Sequence, residues 1–240
     1  SEIRYVGGCV RKILNKENFD DIDLATNLKP DEVKECFKKN NIEFFETGID
    51  HGTITARINK KNFEITSLRK DISTDGRRAV VEFTNEWTKD ALRRDFTINS
   101  IYSDIEGNLF DPNDGVKDLK NGKVEFIGDP EKRVKEDYLR ILRYVRFFLN
   151  YSKQKHKLNV IKIIKQNISG ISQLSKERLV DELKKLATSN GFINICEDDF
   201  CKEIVLLIFP QLKNINILNK LKKNYKADIN KKDFIFLLSL

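Results

Sequence analysis

Residues 7–23 read Gly7–Gly8–Cys9–Val10–Arg11–Lys12–Ile13–Leu14–Asn15–Lys16–Glu17–Asn18–Phe19–Asp20–Asp21–Ile22–Asp23. The preceding Tyr5–Val6 runs into the glycine pair as a strand ending in a tight turn, and Val10 to Leu14 continues as a helix. Asp21–Ile22–Asp23–Leu24 alternates polar and apolar, which predicts a second strand. Residues two apart in a strand share a face, so Asp21 and Asp23 are expected to present paired carboxylates. Two such charges about 5 Å apart repel by roughly 3 kcal/mol at an effective dielectric near 20. Unless one is protonated, a cation has to sit between them, and oxygen-only ligands suit magnesium together with substrate phosphates. Gly7 and Gly8 carry no Cβ, so a phosphate can approach the backbone. Arg11, in the first helical turn, adds a guanidinium able to hold a triphosphate. A DxD pair or a glycine pair is weak by itself, and an acidic surface strand is the plain alternative. In this order and spacing, the combination favours metal-dependent phosphoryl transfer.

Downstream, Pro30 with Asp31 and Glu32 marks a helix start, carrying Val33, Cys36 and Phe37 on one face. Gly52–Ile58 and Asn62–Leu68 predict a hairpin turning at Asn59–Lys60–Lys61, whose second strand offers Glu64 as a third carboxylate. Residues 70–85 read as a polar loop and Glu86–Arg94 as a helix. Arg93–Arg94–Asp95–Phe96–Thr97–Ile98–Asn99 admits two readings: arginines gripping a ribose or phosphate, or cations completing a helix C-terminus.

From Asp129–Pro130 the pattern turns helical. Glu131–Leu149 predicts one long basic amphipathic helix, Ile161–Ile168 another, and Ser175 caps a third with Leu179, Leu183 and Leu186 on a face. Gly191 restarts the chain, and Pro210 ends the next apolar helix. Asp137 and Arg140 stand at i and i+3 on the long helix. One reading is an ion pair on a solvated surface. The other is base recognition: a carboxylate accepts from an exocyclic amine and a guanidinium donates to a ring nitrogen, which suits cytosine and adenine and rejects uracil and guanine. Each good pairing discriminates by about 1–3 kcal/mol.

The charge breaks at the same place as the pattern. Residues 1–128 carry 21 Lys+Arg against 24 Asp+Glu, a net of −3, and residues 129–240 carry 23 against 13, a net of +10. A basic half points to a polyanionic partner, most simply nucleic acid; a lysine-rich solvated surface is the alternative. Across all 240 residues, 40% hydrophobic and 34% charged composition supports a buried core. The longest apolar run, Ile204–Phe209, is far too short for a membrane span. The opening Ser1–Glu2–Ile3 has no leader-like apolar stretch, so a soluble protein of the cytoplasm is expected. Four cysteines and two histidines lack CxxC or HxxxH spacing, which argues against zinc and for free core thiols in a reducing compartment. The chain contains no methionine and ends inside the apolar run Phe234–Leu240, so both ends are expected to be truncated.

On these motifs the chain resembles the class II, bacterial-type tRNA nucleotidyltransferases, the CCA-adding enzymes of the polymerase-β superfamily, from about Tyr5 to Leu186. Gly7–Gly8–Cys9–Val10–Arg11 with Asp21–Ile22–Asp23 is similar to the catalytic motif, and Arg93–Arg94–Asp95 to the ribose-holding motif. Asp129–Pro130 to Arg133 resembles the hinge, Glu136–Asp137–Tyr138–Leu139–Arg140 the EDxxR protein template, and Ser175–Lys176–Glu177–Arg178 to Glu182–Leu183 the last helical motif. The resemblance implies an α+β fold: a nucleotidyltransferase head over residues 1–128, then an all-α arm with a neck over 129–190 and the start of a body over 191–240. It implies that Asp21 and Asp23 bind the metals of a two-magnesium mechanism, with Glu64 the third catalytic carboxylate. Gly7, Gly8, Arg11, Arg93, Arg94, Asp95, Asn99, Asp137, Arg140 and Arg143 would bind the nucleotide, and Arg69, Asp71, Arg77 and Arg78 would belong to a flexible loop.

The implied reaction adds C, C and A to the 3′ end of tRNA from CTP and ATP, with no membrane involved. Bacterial poly(A) polymerases share the head but usually carry Gly–Arg–Arg where this chain has His51–Gly52–Thr53. The segment Arg69 to Asp90 is long enough for terminal A addition, and an A-adding specialist remains a relative of the same motifs. A non-catalytic RNA-binding module is the alternative of another class. Lys12 departs from the family's usual aspartate, and by the resemblance the tail that holds the tRNA elbow is expected to lie beyond the residues given.

Overall fold

The computed structural model describes residues 1–19, 21–74 and 79–218. Its elements, in chain order, are β1 (Ile3–Val6), α1 (Gly8–Leu14), β2 (Asp23–Thr26), α2 (Pro30–Lys39), β3 (Glu43–Gly48), β4 (Thr53–Ile58), β5 (Lys61–Ser67), β6 (Arg69–Thr74), β7 (Ala79–Phe83), α3 (Trp87–Leu92), β8 (Tyr102–Ser103), β9 (Leu109–Phe110) and α4 (Gly115–Lys120). The helices α5 (Pro130–Glu136), α6 (Leu139–Tyr151), α7 (Leu158–Asn167), α8 (Lys176–Ala187) and α9 (Asp199–Ile208) follow. Two compact units result. Ser1–Thr74, β7 through Asn121, and Glu125–Gly128 form the first; Gly122–Val124 and the chain from Asp129 form the second.

The first unit is a seven-stranded mixed sheet in the order β3-β4-β5-β2-β1-β8-β9, with β6 and β7 as a separate pair. The β2–β5 pairing is parallel, with Asp23 opposite Glu64, while β1 runs antiparallel to both β2 and β8. The β4–β5 hairpin closes through Asn59 and Lys60 at φ 51° and 65°, the left-handed pair that a two-residue turn requires to match strand twist. Val6, Ala25, Leu68, Ala91 and Tyr102 are buried together at its core, with Trp87 and Phe110 packed against them. Arg4 lies over both rings, 4.3 Å from the Trp87 centroid and 5.2 Å from that of Phe110.

The structure corrects several expectations. β2 begins at Asp23, so Asp21 precedes the strand rather than sharing its face. Within the expected loop over residues 70–85, the described residues 70–74 and 79–83 are strand: β6 and β7 pair in antiparallel fashion, with a register shift between Asp71 and Ser73. That bulge breaks the two-residue alternation and hides the strands from a periodicity reading. Arg69 and Asp71 of the expected flexible loop are residues of β6, whereas Arg77 and Arg78 lie outside the described residues, as does Phe234–Leu240. Cys36 is exposed and Cys196 only half-buried, so only Cys9 and Cys201 are core thiols.

In the second unit the expected single helix over 131–149 is two. Asp137, at φ −156° and ψ 105°, is extended, and its carboxylate accepts the Leu139 amide at 3.1 Å. The side chain thereby satisfies the first amide of α6 in an Asx-type turn that competes with continued helix. Gly170 is required opposite this break, since a Cβ there would sit 2.2 Å from Tyr138 Cε1. α6 buries Ile141, Leu142, Tyr144, Val145 and Phe147 against α8, α9 and the 3-10 turn Asn190–Glu197. Ser175 caps α8 as expected, accepting from the Arg178 amide at 3.4 Å.

Candidate active site

The first cluster forms where β1 ends. Gly7 turns at φ 70° and ψ −117°, a conformation open to glycine and strained for other residues. A Cβ at Gly7 would lie 3.5 Å from Arg94 Nη1 and 3.6 Å from the Asn99 carbonyl, whereas one at Gly8 would meet nothing within 4 Å. Gly8 therefore owes its place to no neighbouring protein atom. Arg11 reaches from α1 to hydrogen-bond the Asn99 side-chain carbonyl, 88 residues away. The Asn99 amide in turn donates to Asp95 Oδ1 at 2.9 Å. Arg11, Asp95 and Asn99 are all buried. The fold thus locks the second motif onto the first: Arg93 stands at the C-cap of α3, as the helix-end reading has it, and Asp95 packs behind it.

Beside this turn, β2 brings up Asp23 and β5 brings up Glu64 as direct partners on parallel strands. Partners on adjacent strands share a face, and both residues are exposed, as is Asp21. The donor set is all oxygen and solvent-facing, which fits a hard divalent cation. The three carboxylates do not converge in this structure: among the described residues, a different group is the one whose three ligand atoms lie within 4.8 Å of one another.

Asp90, which the sequence reading did not single out, organises the arginines. It is 1% exposed and accepts from Arg93 Nε at 2.8 Å, Arg94 Nη2 at 3.1 Å, Tyr102 Oη at 2.6 Å and the Arg69 amide at 3.2 Å. Burial would raise its pKa, but the Arg94 and Arg93 cations and the Tyr102 hydroxyl outweigh it and hold the carboxyl at about 2. The same network raises Arg94 above its ordinary value despite burial. Burial and the neighbouring Arg93 bring Arg69 down to about 10. A signal existed: Asp90 stands three and four residues before Arg93 and Arg94, the spacing of neighbours on a helix.

In the second unit the Asp137 and Arg140 side chains do not pair with each other, although the Arg140 amide donates to the Asp137 carbonyl at 3.0 Å. Arg178 donates to Asp137 Oδ2 at 2.8 Å, and Arg140 donates to Glu136 Oε2 at 2.6 Å and to the Arg133 carbonyl at 3.0 Å. Arg133 also bonds Glu136, at 2.8 Å, and these arginines keep the Glu136 carboxyl below its ordinary pKa although burial opposes it. Arg143 and Arg146 face the buried Glu182 at 3.7 and 2.6 Å. Asp137 and Arg140 are half-buried, one after the other on the same short stretch.

The first unit is thus a mixed-sheet head with exposed carboxylates beside a glycine turn and a packed arginine motif. The chain belongs to the poly(A) polymerase head domain family, whose family model matches residues 3–125. Among curated proteins it is 47% identical to the human mitochondrial CCA tRNA nucleotidyltransferase 1, over 93% of this chain and 52% of that protein. It is 38% identical to the CCA-adding enzyme of Lactobacillus helveticus (strain DPC 4571), over 88% of this chain and 55% of that protein. The chain therefore spans about half the length of the curated relatives it matches. The crystal structure of the Bacillus stearothermophilus CCA-adding enzyme in complex with CTP superposes with a TM-score of 0.74 at 24% identity, covering 99% of this chain and 62% of that one. The fold is accordingly α+β: the polymerase-β-like head followed by an all-α arm.

Proposed function

We propose that this chain is the head and adjoining helical arm of a tRNA nucleotidyltransferase that adds C, C and A to the tRNA 3′ end from CTP and ATP. In that reaction the primer 3′-hydroxyl attacks the nucleotide α-phosphate and pyrophosphate leaves. The observation that carries the reading is the placement of Asp23 beside Glu64 at the edge of the Gly7 turn, with Arg94 over that turn. The names of relatives 38% and 47% identical over the aligned residues favour CCA addition within the family.

Asp21 and Asp23 would hold magnesium, with Glu64 as the third carboxylate. Bound there, the ion lowers the pKa of an attacking hydroxyl and offsets charge on the transferring phosphoryl group. The open space at Gly8 admits a phosphate to the backbone, and Arg94 and Arg93 supply positive charge fixed in place by Asp90. Asp137 would accept from the exocyclic amine of cytosine or adenine, and Arg140 and Arg143 would add donors to the base. For this, Asp137 and Arg140 exchange their present partners, Arg178 and Glu136, for the base. The +10 arm would hold the acceptor stem through phosphates, so binding should fall steeply with salt.

Among the described residues no helix is long and apolar enough to cross a membrane. Cytoplasmic residence is part of the same proposal and rests on four free cysteines; fractionation of the source cells tests it, with recovery in an organelle counting against it.

The deciding experiment extends a tRNA transcript lacking its 3′ end with labelled CTP, ATP, UTP or GTP and magnesium. Two C followed by one A supports the proposal. A long A run would make the chain a poly(A) polymerase, and A only after a supplied CC an A-adding specialist. No incorporation, with Asp21→Ala matching wild type, would leave an RNA-binding module.

A further inference from the structure

The second unit holds a cluster that nucleotide transfer does not use. His156 lies between α6 and α7, Asp198 caps α9, and Cys201 stands in the first turn of α9. His156 Nε2 is 2.9 Å from Asp198 Oδ2 and 3.7 Å from Cys201 Sγ. One ligand atom from each of the three residues lies within 4.8 Å of the others. Their sequence spacing gave no sign of this, because residues 156 and 198 meet only when α9 packs on α6.

We propose that His156, Asp198 and Cys201 form a binding site for a zinc-class divalent cation that ties the α6–α7 connection to the N-terminus of α9. Nitrogen, oxygen and sulfur donors together suit zinc or cobalt rather than magnesium. Bonds of about 2.3 Å to sulfur and about 2.0 Å to nitrogen at a tetrahedral angle place those two donors about 3.5 Å apart. The observed 3.7 Å needs almost no adjustment, and the histidine–aspartate contact opens by a few tenths of an ångström. The imidazole is already oriented: it stacks on Phe148 with centroids 3.6 Å apart at 17°, and Phe200 meets it edge-on at 4.7 Å. Its other nitrogen, Nδ1, is 3.0 Å from Tyr144 Oη, the outer partner that fixes which nitrogen faces a metal. Cys201 is fully buried, and burial followed by the adjacent Asp198 carboxylate raises its thiol pKa well above the ordinary value. Without a cation the thiol stays protonated; a bound cation displaces the thiol proton to solvent as the thiolate ligates. His156 and Asp198 keep a solvent-facing edge, so water completes the coordination.

The test is cobalt titration of the metal-free full chain, read by absorption. The expected result is one cobalt per chain, with a near-ultraviolet thiolate-to-cobalt charge-transfer band and tetrahedral visible bands. Cys201→Ser should abolish the charge-transfer band with its circular dichroism unchanged, and Cys36→Ser should leave it intact. Tyr144→Phe should weaken cobalt binding by about 10–100-fold. No charge-transfer band in the wild type, or an equal band in a folded Cys201→Ser variant, overturns the proposal and leaves a purely hydrogen-bonded histidine–aspartate pair. A misfolded Cys201→Ser is replaced by His156→Gln, for which retention of the full tetrahedral spectrum likewise overturns it. Magnesium-dependent incorporation is read separately, so neither result depends on the other.

Discussion

Replacing Asp90 with asparagine removes one negative charge from beneath two arginines while keeping the side chain's shape. In the wild type the carboxyl sits at about 2 against an ordinary 3.8. At about 1.4 kcal/mol per pH unit, that gap is worth about 2–3 kcal/mol of folding stability at neutral pH. Because the folded pKa is the depressed one, this contribution is complete above 3.8 and is lost as pH falls through that value toward about 2. Asparagine also leaves Arg93 and Arg94, only 16% and 19% exposed, facing an uncharged amide. Breaking one side of a buried pair costs about 3–5 kcal/mol; with the amide oxygen still accepting, a loss of about 3 kcal/mol is expected.

Trp87 is the sole tryptophan and sits edge-on to Tyr102, with centroids 5.4 Å apart. Urea unfolding followed by its fluorescence therefore reports on the sheet unit. Other carboxylates titrate in the same range, so the quantity to read is the wild-type-minus-variant difference as pH is lowered. That difference should shrink from about 3 kcal/mol toward zero as Asp90 protonates. A variant within about 0.5 kcal/mol of wild type at neutral pH, or a difference that does not change with acid, would refute the account of Asp90 as a charged hub.

Glu64→Gln should lower nucleotide incorporation by about 10²-fold or more; because the side chain is exposed, the urea midpoint should stay within error of wild type. Glu182→Ala removes the 2%-exposed carboxylate that lies 2.6 Å from Arg146 Nε and should cost about 3–5 kcal/mol in helix unfolding by circular dichroism. Arg178→Ala releases Asp137 from its 2.8 Å partner and should change the ratio of CTP and ATP to UTP and GTP incorporation more than the total rate; an unchanged ratio would remove Arg178 from nucleotide choice. Gly115→Ala places a Cβ 2.2 Å from the Thr97 carbonyl and should lower stability by about 1–3 kcal/mol in thermal unfolding.

Much of the local structure around the candidate site was legible in the sequence. The glycine turn, Asp23 in a strand, the hairpin carrying Glu64, the helix start at Pro30 and the cap at Ser175 all depend on local chemistry: a left-handed turn, strand alternation, a first-turn proline, a side-chain acceptor for an orphan amide. Local rules also misled where one residue broke the period. The bulge between Asp71 and Ser73 concealed a strand pair, and the extended backbone at Asp137 turned one expected helix into two.

By itself the sequence determined the class of fold, the charge break near residue 128 and the residue types gathered in the candidate site, because these follow from neighbours a few positions apart. Tertiary structure alone decided which distant groups meet. Arg11 finds Asn99, Asp23 finds Glu64, Asp137 finds Arg178 rather than Arg140, and His156 finds Asp198 and Cys201. Those partners are set by strand order and helix packing, and burial then fixes how strongly each charge is held, as at Asp90. No spacing along the chain encodes that, since the energy of a charge depends on what surrounds it in space.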